Sequence, residues 1–139
     1  MVLENNAGIK WSIADGPDGY ACGSITFNGV LVESPLEQGF LLLRNSATGE
    51  ERWLCCETGE RIDETTARFY GETGVEGTTF SFWVTISLPE NLKAAQIEYG
   101  FSVDEDLAGW EVGFAYQAGY AHAWSCHLYP FAEDAKAVA

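Results

Sequence analysis

Residues 79–86 have the sequence TFSFWVTI, in which apolar and short polar side chains alternate. Successive side chains of a β-strand point to opposite faces of its sheet, so the phenylalanine, valine and isoleucine side chains share one face. The alternation predicts a half-buried strand with one apolar face. Trp83 is the exception, because this large ring shares the other face with threonine and serine.

The same period of two continues on both sides of this stretch, and no segment has the period of a long amphipathic helix. Gly39 to Arg44 is apolar on both faces, which predicts a central strand. Further strands are predicted at residues 9–13, 25–27, 30–32, 52–56, 65–70, 95–103, 110–116 and 121–129.

Turn signals separate these strands. Asn28-Gly29 is a strong hairpin signal, since both residues tolerate the positive φ of a type I′ turn. Glu57 to Glu60 is predicted to be a turn. Residues 71–77, GETGVEG, contain three glycines and are predicted to form a loop.

About ten short strands with these spacings predict an all-β fold, an antiparallel and jelly-roll-like β-sandwich. Residues 1–139 are expected to form a single domain, which is long enough to bury roughly two-thirds of its unfolded surface. The varied turn lengths favour a sandwich over a closed barrel, which stays the alternative.

The chain is strongly acidic: 21 acidic residues against 7 basic ones give a formal net charge of −14. Nucleic acids and anionic membrane surfaces are bound mainly through lysine and arginine, so neither is an expected partner. The partners that remain are a carbohydrate or another protein subunit or domain. The sequence has no apolar run of membrane-spanning length and no secretory signal, which predicts a soluble, cytoplasmic protein.

The sequence contains no recognisable set of catalytic residues, and no catalytic residue, cofactor or metal site is predicted. His122 and His127 are the two histidines, and their spacing places them on opposite faces of one strand. The four cysteines lack the C-x₂-C spacing typical of zinc sites. They are expected to be small buried side chains in a reducing compartment.

The aromatic residues are the better candidates for a binding site. A large ring on the polar face of a strand is either covered by another element or offered to a ligand, and Trp83 is such a ring. Trp124 is a second candidate, with His122 on its face and Tyr120 just before it. Flat rings beside hydroxyl and amide groups suit sugars, although a protein contact explains the same pattern.

Four segments carry a family resemblance, and they are Leu3 to Asn6, Leu43 to Glu50, Trp110 to Val112 and Trp124 to Phe131. In these segments the chain resembles the N-terminal β-sandwich domains, of the supersandwich type, that precede the catalytic domain of large multidomain glycoside hydrolases. The resemblance implies an accessory domain whose enzyme carries its catalytic carboxylates elsewhere. The resemblance also implies a partial or reduced relative, because a supersandwich would continue beyond residue 139.

The first functional hypothesis is therefore a non-catalytic, carbohydrate-associated β-sandwich, with Trp83, Trp124, His122 and Tyr120 as the ligand-binding residues. The second hypothesis is a structural or interaction subunit that docks through an aromatic patch. The third is a small β-barrel, a carrier or a cyclase, that binds an apolar ligand in its mouth.

Overall fold

Eleven β-strands and no helix make up residues 1–36 and 39–114, which are the residues that this computed structural model describes. The strands are β1 (Val2–Glu4), β2 (Ile9–Gly16), β3 (Gly19–Phe27), β4 (Val30–Leu36), β5 (Leu41–Asn45), β6 (Glu51–Leu54), β7 (Thr58–Arg61), β8 (Thr66–Val75), β9 (Thr78–Ser87), β10 (Gln96–Val103) and β11 (Trp110–Phe114). The predicted all-β class is confirmed. The strand predicted at 121–129 lies outside the described residues.

The strands form three antiparallel sheets. The first sheet has the order β1-β2-β3-β4, the second β11-β5-β6 and the third β10-β9-β8-β7. Most neighbours are consecutive in the chain, and the long connection is the one that returns β11 to the side of β5. The three sheets of the described part are separate rather than one closed ring, so the arrangement is sandwich-like and the closed-barrel alternative loses its support.

One hydrophobic cluster draws members from all three sheets. Trp11 of the first sheet, Leu43 of the second and Phe69 of the third are all buried in it. The ring of Phe69 lies 4.9 Å from that of Phe40 and 5.3 Å from that of Tyr20, measured between ring centroids. Burial of such apolar surface is the main favourable contribution to folding.

Strand β9 has the alternation that residues 79–86 predict. Its phenylalanines, Val84 and Ile86 are buried, whereas Ser81, Trp83 and Thr85 are half-buried on the opposite face. The hairpin signal is also confirmed. Asn28 has a φ of 48° and Gly29 a φ of 80°, and they join β3 to β4.

Two local predictions are wrong. The segment Gly71 to Gly77 is not a loop, because β8 continues to Val75 and the turn comes only at Glu76 and Gly77. The predicted turn at Glu57 to Glu60 is instead largely strand β7. In both places a neighbouring strand provides backbone hydrogen bonds, which outweigh the local preference of glycine for irregular structure.

The first strand, β1, was not predicted, since three residues carry too little pattern. It pairs with β2, and the residue after it is a buried Asn5. The amide of Asn5 donates to the carbonyl oxygens of Pro89 and Leu92, both at 2.9 Å, and its oxygen accepts from the backbone of Ile9. One side chain thus connects the start of the first sheet to the loop between β9 and β10 of the third sheet.

Candidate functional site

The outer face of the third sheet carries a row of paired residues that crosses all four of its strands. The register pairs Thr58 with Tyr70, Tyr70 with Trp83, and Trp83 with Gly100. Directly paired residues place their side chains on the same face of a sheet. In β8 and β9 the neighbouring residues, such as Phe69 and Phe82, are buried in the core. The row therefore brings together two aromatic rings that are 13 residues apart in the sequence.

The indole of Trp83 rests on the backbone of Gly100. A β-carbon added at Gly100 would lie 2.7 Å from three atoms of that indole, so any residue other than glycine would displace the ring. The guanidinium carbon of Arg68 lies 5.4 Å from the centroid of the same ring, and its Nε donates to Thr85 Oγ1 at 2.8 Å. These two contacts hold Trp83 in one orientation, with part of its ring facing solvent.

An open groove lies along this row, and we call it the aromatic groove. Its volume is about 600 Å³, within the range of small-molecule sites. The side chains that line it include two aromatic residues of the outer face, the inward-facing Phe82 and Phe101, and several polar residues: Thr58, Tyr70, Glu72, Ser81, Phe82, Trp83, Phe101 and Ser102. Tyr70 is 42% exposed, which is unusual for so large a ring in the middle of a sheet. Hydroxyl groups flank the two rings, so the groove offers apolar faces and hydrogen-bonding groups together.

The electrostatic character of the aromatic groove is acidic. Glu57 and Glu72 both line it, and within the described part of the chain no basic side chain does. The Oε2 atom of Glu57 accepts a hydrogen bond from the backbone N–H of Glu72 at 3.2 Å. An adjoining cavity of about 220 Å³ shares both glutamates and adds Asp18. These carboxylates thus give the groove a negative electrostatic potential.

Of the four predicted ligand-binding residues, the structure describes Trp83 but not the other three. Trp83 lies on the polar outer face, as its alternation with buried neighbours predicts. Tyr120, His122 and Trp124 lie outside the described residues, and their roles stay predictions. The prediction omitted Tyr70, although its alternation with the buried Phe69 was a usable signal.

A second exposed aromatic pair lies on the opposite face of the same sheet. Tyr99 is 39% exposed and Phe101 is 53% exposed, although they pair with the buried Val84 and Phe82 of β9. The ring of Phe101 stacks on that of Phe80 at 5.3 Å. In the described structure this edge strand therefore presents apolar surface to solvent.

Three cysteines are described, and none lies in a setting that activates a thiol. Burial, with a smaller contribution from Cys55, raises the pKa of Cys22 to about 12. Burial, followed by the nearby Glu57, raises the pKa of Cys56 to about 12. Burial and the charges of Asp18 and Glu57 also raise the pKa of Cys55. Since the thiolate is the reactive form of cysteine, the raised pKa values keep these three thiols protonated and unreactive.

We expect Cys22 and Cys56 to resist alkylation until the domain unfolds. Their raised pKa values mean that the folded state keeps both thiols neutral, and burial denies access to the reagent. Treatment of the native protein with iodoacetamide, followed by peptide mass mapping, should leave both unmodified, whereas the half-buried Cys55 reacts slowly. In denaturant all of them should react. Rapid native modification of Cys56 would contradict its position in the core.

The described residues contain no group of three histidine, cysteine, aspartate or glutamate side chains arranged to hold a metal ion. The same residues also contain no helix that could cross a membrane. Comparison with models of protein families, with curated proteins and with solved structures found no match. The resemblance to accessory domains of glycoside hydrolases therefore stays a prediction.

Proposed function

We propose that this chain is a non-catalytic carbohydrate-associated domain that binds a sugar chain in the aromatic groove. The observation that carries the proposal is the pair Tyr70 and Trp83, side by side on an outer sheet face and flanked by hydroxyl and carboxylate groups. Aromatic rings pack against the C–H faces of sugars, and the surrounding oxygens bind the hydroxyl groups. The role is that of a binding module or of an accessory domain of a sugar-processing enzyme.

The shape of the groove supports an extended ligand rather than a single small molecule. The row of side chains runs across four strands, and neighbouring strands are about 4.8 Å apart, so the groove spans roughly 14 Å. It is open to solvent along this length, as a polymer that enters and leaves the site requires. Because Gly100 and Arg68 fix the indole of Trp83, little side-chain entropy is lost when the ligand binds.

A thermal-shift screen against neutral and amino oligosaccharides tests the proposal. Ligand at 100 times its dissociation constant stabilises the folded state by about 2.7 kcal/mol, which raises Tm by several degrees. Removing one stacked ring through Tyr70→Ala or Trp83→Ala should weaken binding about tenfold. The same ligand concentration then stabilises the variant by only about 1.4 kcal/mol.

Tyr99→Ala is the matched control for Tyr70→Ala. The two tyrosines have nearly equal exposure, 39% and 42%, but they lie on opposite faces of the third sheet. Tyr99→Ala should leave the sugar-induced shift unchanged. Absence of a shift with every oligosaccharide would reject the proposed function, and an equal loss in both variants would place the sugar outside the aromatic groove.

The second candidate function is that of an interaction subunit, and the exposed Tyr99 and Phe101 favour it. Apolar side chains on an edge strand are typical of surfaces that pair with another chain. This candidate predicts concentration-dependent association in analytical ultracentrifugation that Tyr99→Glu abolishes, and Tyr99 does not line the aromatic groove. The sugar screen and this measurement are independent, so the two functions can be separated.

A further inference from the structure

We infer that the aromatic groove prefers a cationic sugar chain, one whose units carry protonated amino groups, and that Glu57 and Glu72 set this preference. The inference rests on the proposed function, because it names the class of sugar that the same groove takes. The rings of Tyr70 and Trp83 provide the site, and the carboxylates decide which sugar occupies it.

The two glutamates face the groove without a basic partner among the described residues. Both are exposed, and the carboxylate of Glu57 accepts a hydrogen bond from the backbone N–H of Glu72. The guanidinium of Arg68, on the same face, is held by Thr85 and by the ring of Trp83. Because Arg68 already engages the ring of Trp83, the groups of the groove that attract a further cation are the ring of Tyr70 and the carboxylates of Glu57 and Glu72.

The arrangement suits ammonium groups on a chain better than it suits a metal ion. A metal site needs several oxygen ligands around one point, and the described acidic side chains form no such group. Asp18, Glu57 and Glu72 are instead spread over the groove and its adjoining cavity. Charges distributed in this way match a polymer of amino sugars, which carries one ammonium group on each unit.

The preference has an expected size. One pair of opposite charges about 4 Å apart in water changes a binding constant about fivefold, and salt screens the effect. An amino-sugar oligomer should thus bind at least about fivefold more tightly than its N-acetylated form, which has the same backbone without the charge. An oligomer of a sugar acid should bind more weakly than either, because its carboxylates meet those of Glu57 and Glu72.

The test is a calorimetric titration of the full chain with four oligomers of equal length: glucosamine, N-acetylglucosamine, glucose and galacturonic acid. The pH is kept below the pKa of the amine, and each titration is repeated at high salt. Glu57→Gln and Glu72→Gln keep the shape and the hydrogen-bond acceptor of each side chain while removing its charge. Glu98→Gln is the control, since Glu98 lies on the same outer face but does not line the groove.

The expected result is tightest binding of the glucosamine oligomer, with the advantage reduced at high salt and in Glu57→Gln and Glu72→Gln but not in Glu98→Gln. Equal binding of the glucosamine, N-acetylglucosamine and glucose oligomers would overturn the inference and leave the proposed function standing. An equal loss in Glu98→Gln would assign the preference to the overall charge of the domain and would also overturn it. Failure of all four oligomers to bind would reject the proposed function itself.

Discussion

Replacement of Phe69 by alanine is expected to lower the free energy of unfolding by about 3–5 kcal/mol. Phe69 is fully buried, and its ring packs against those of Phe40 and Tyr20. It also fills the space next to Gly59, where an added β-carbon would lie 2.6 Å from the Phe69 ring. Truncation removes a large apolar surface and leaves a cavity that these rigid neighbours cannot close. Urea unfolding followed by tryptophan fluorescence measures the change.

Phe101→Ala is the matched control for this substitution. It removes the same side chain from the same sheet, but Phe101 is 53% exposed on the edge strand and has less apolar surface to lose. Its expected cost is about 1 kcal/mol or less. Similar costs for the two variants would show that the cluster around Phe69 is not the centre of the core. Since a typical domain is stable by only about 5–15 kcal/mol, the Phe69 variant should lose a large part of that stability.

The alternation of apolar and polar residues and the turn residues were sufficient to predict an all-β fold. The buried face of a strand and the position of a tight turn each depend on only a few neighbouring residues. The alternation around Trp83 predicted which face of β9 is buried, and Asn28-Gly29 predicted a hairpin that has the expected positive φ angles. The failure at Gly71 to Gly77 has a physical cause. Val75, the last residue of β8, is fully buried, and pairing with β9 extends the strand through Gly71 and Gly74.

The candidate site depends on information that local pattern does not contain. The position of Trp83 on a polar face follows from alternation, but its neighbours depend on the register between strands. Only the pairing of β8 with β9 and of β9 with β10 brings Tyr70 and Gly100 to Trp83. Glu57 enters the groove because the residues after it form β7, which the sequence pattern predicted as a turn. The acidic character of the groove thus became visible only with the structure.

The other large effect is expected at Gly23, where alanine should lower the free energy of unfolding by about 2–5 kcal/mol. The ladder between β2 and β3 shifts register between Ser12 and Ala14, which marks a bulge. Gly23 lies opposite this bulge with a φ of 74°, a conformation that other residues rarely adopt. A β-carbon there would lie 1.8 Å from the carbonyl oxygen of Ser12 and 2.7 Å from the nitrogen of Ala14. Both atoms belong to the backbone, so the strands themselves would have to move apart.

Two further glycines separate the contributions to this cost. Gly29→Ala meets a φ of 80° with no atom within 4 Å, so it measures the backbone strain alone, about 1–2 kcal/mol. Gly74→Ala has neither a positive φ nor a close neighbour, and it should leave the stability unchanged or slightly raised. Urea midpoints of the three variants, compared at equal m-values, should therefore rank Gly23 lowest and Gly74 highest. If Gly23→Ala cost no more than Gly29→Ala, the close approach of β2 to β3 at the bulge would be wrong.

The same bulge lies beside the buried Trp11. The indole N–H of Trp11 donates to the carbonyl of Cys22, so a wrong bulge would leave the position of Trp11 without an explanation.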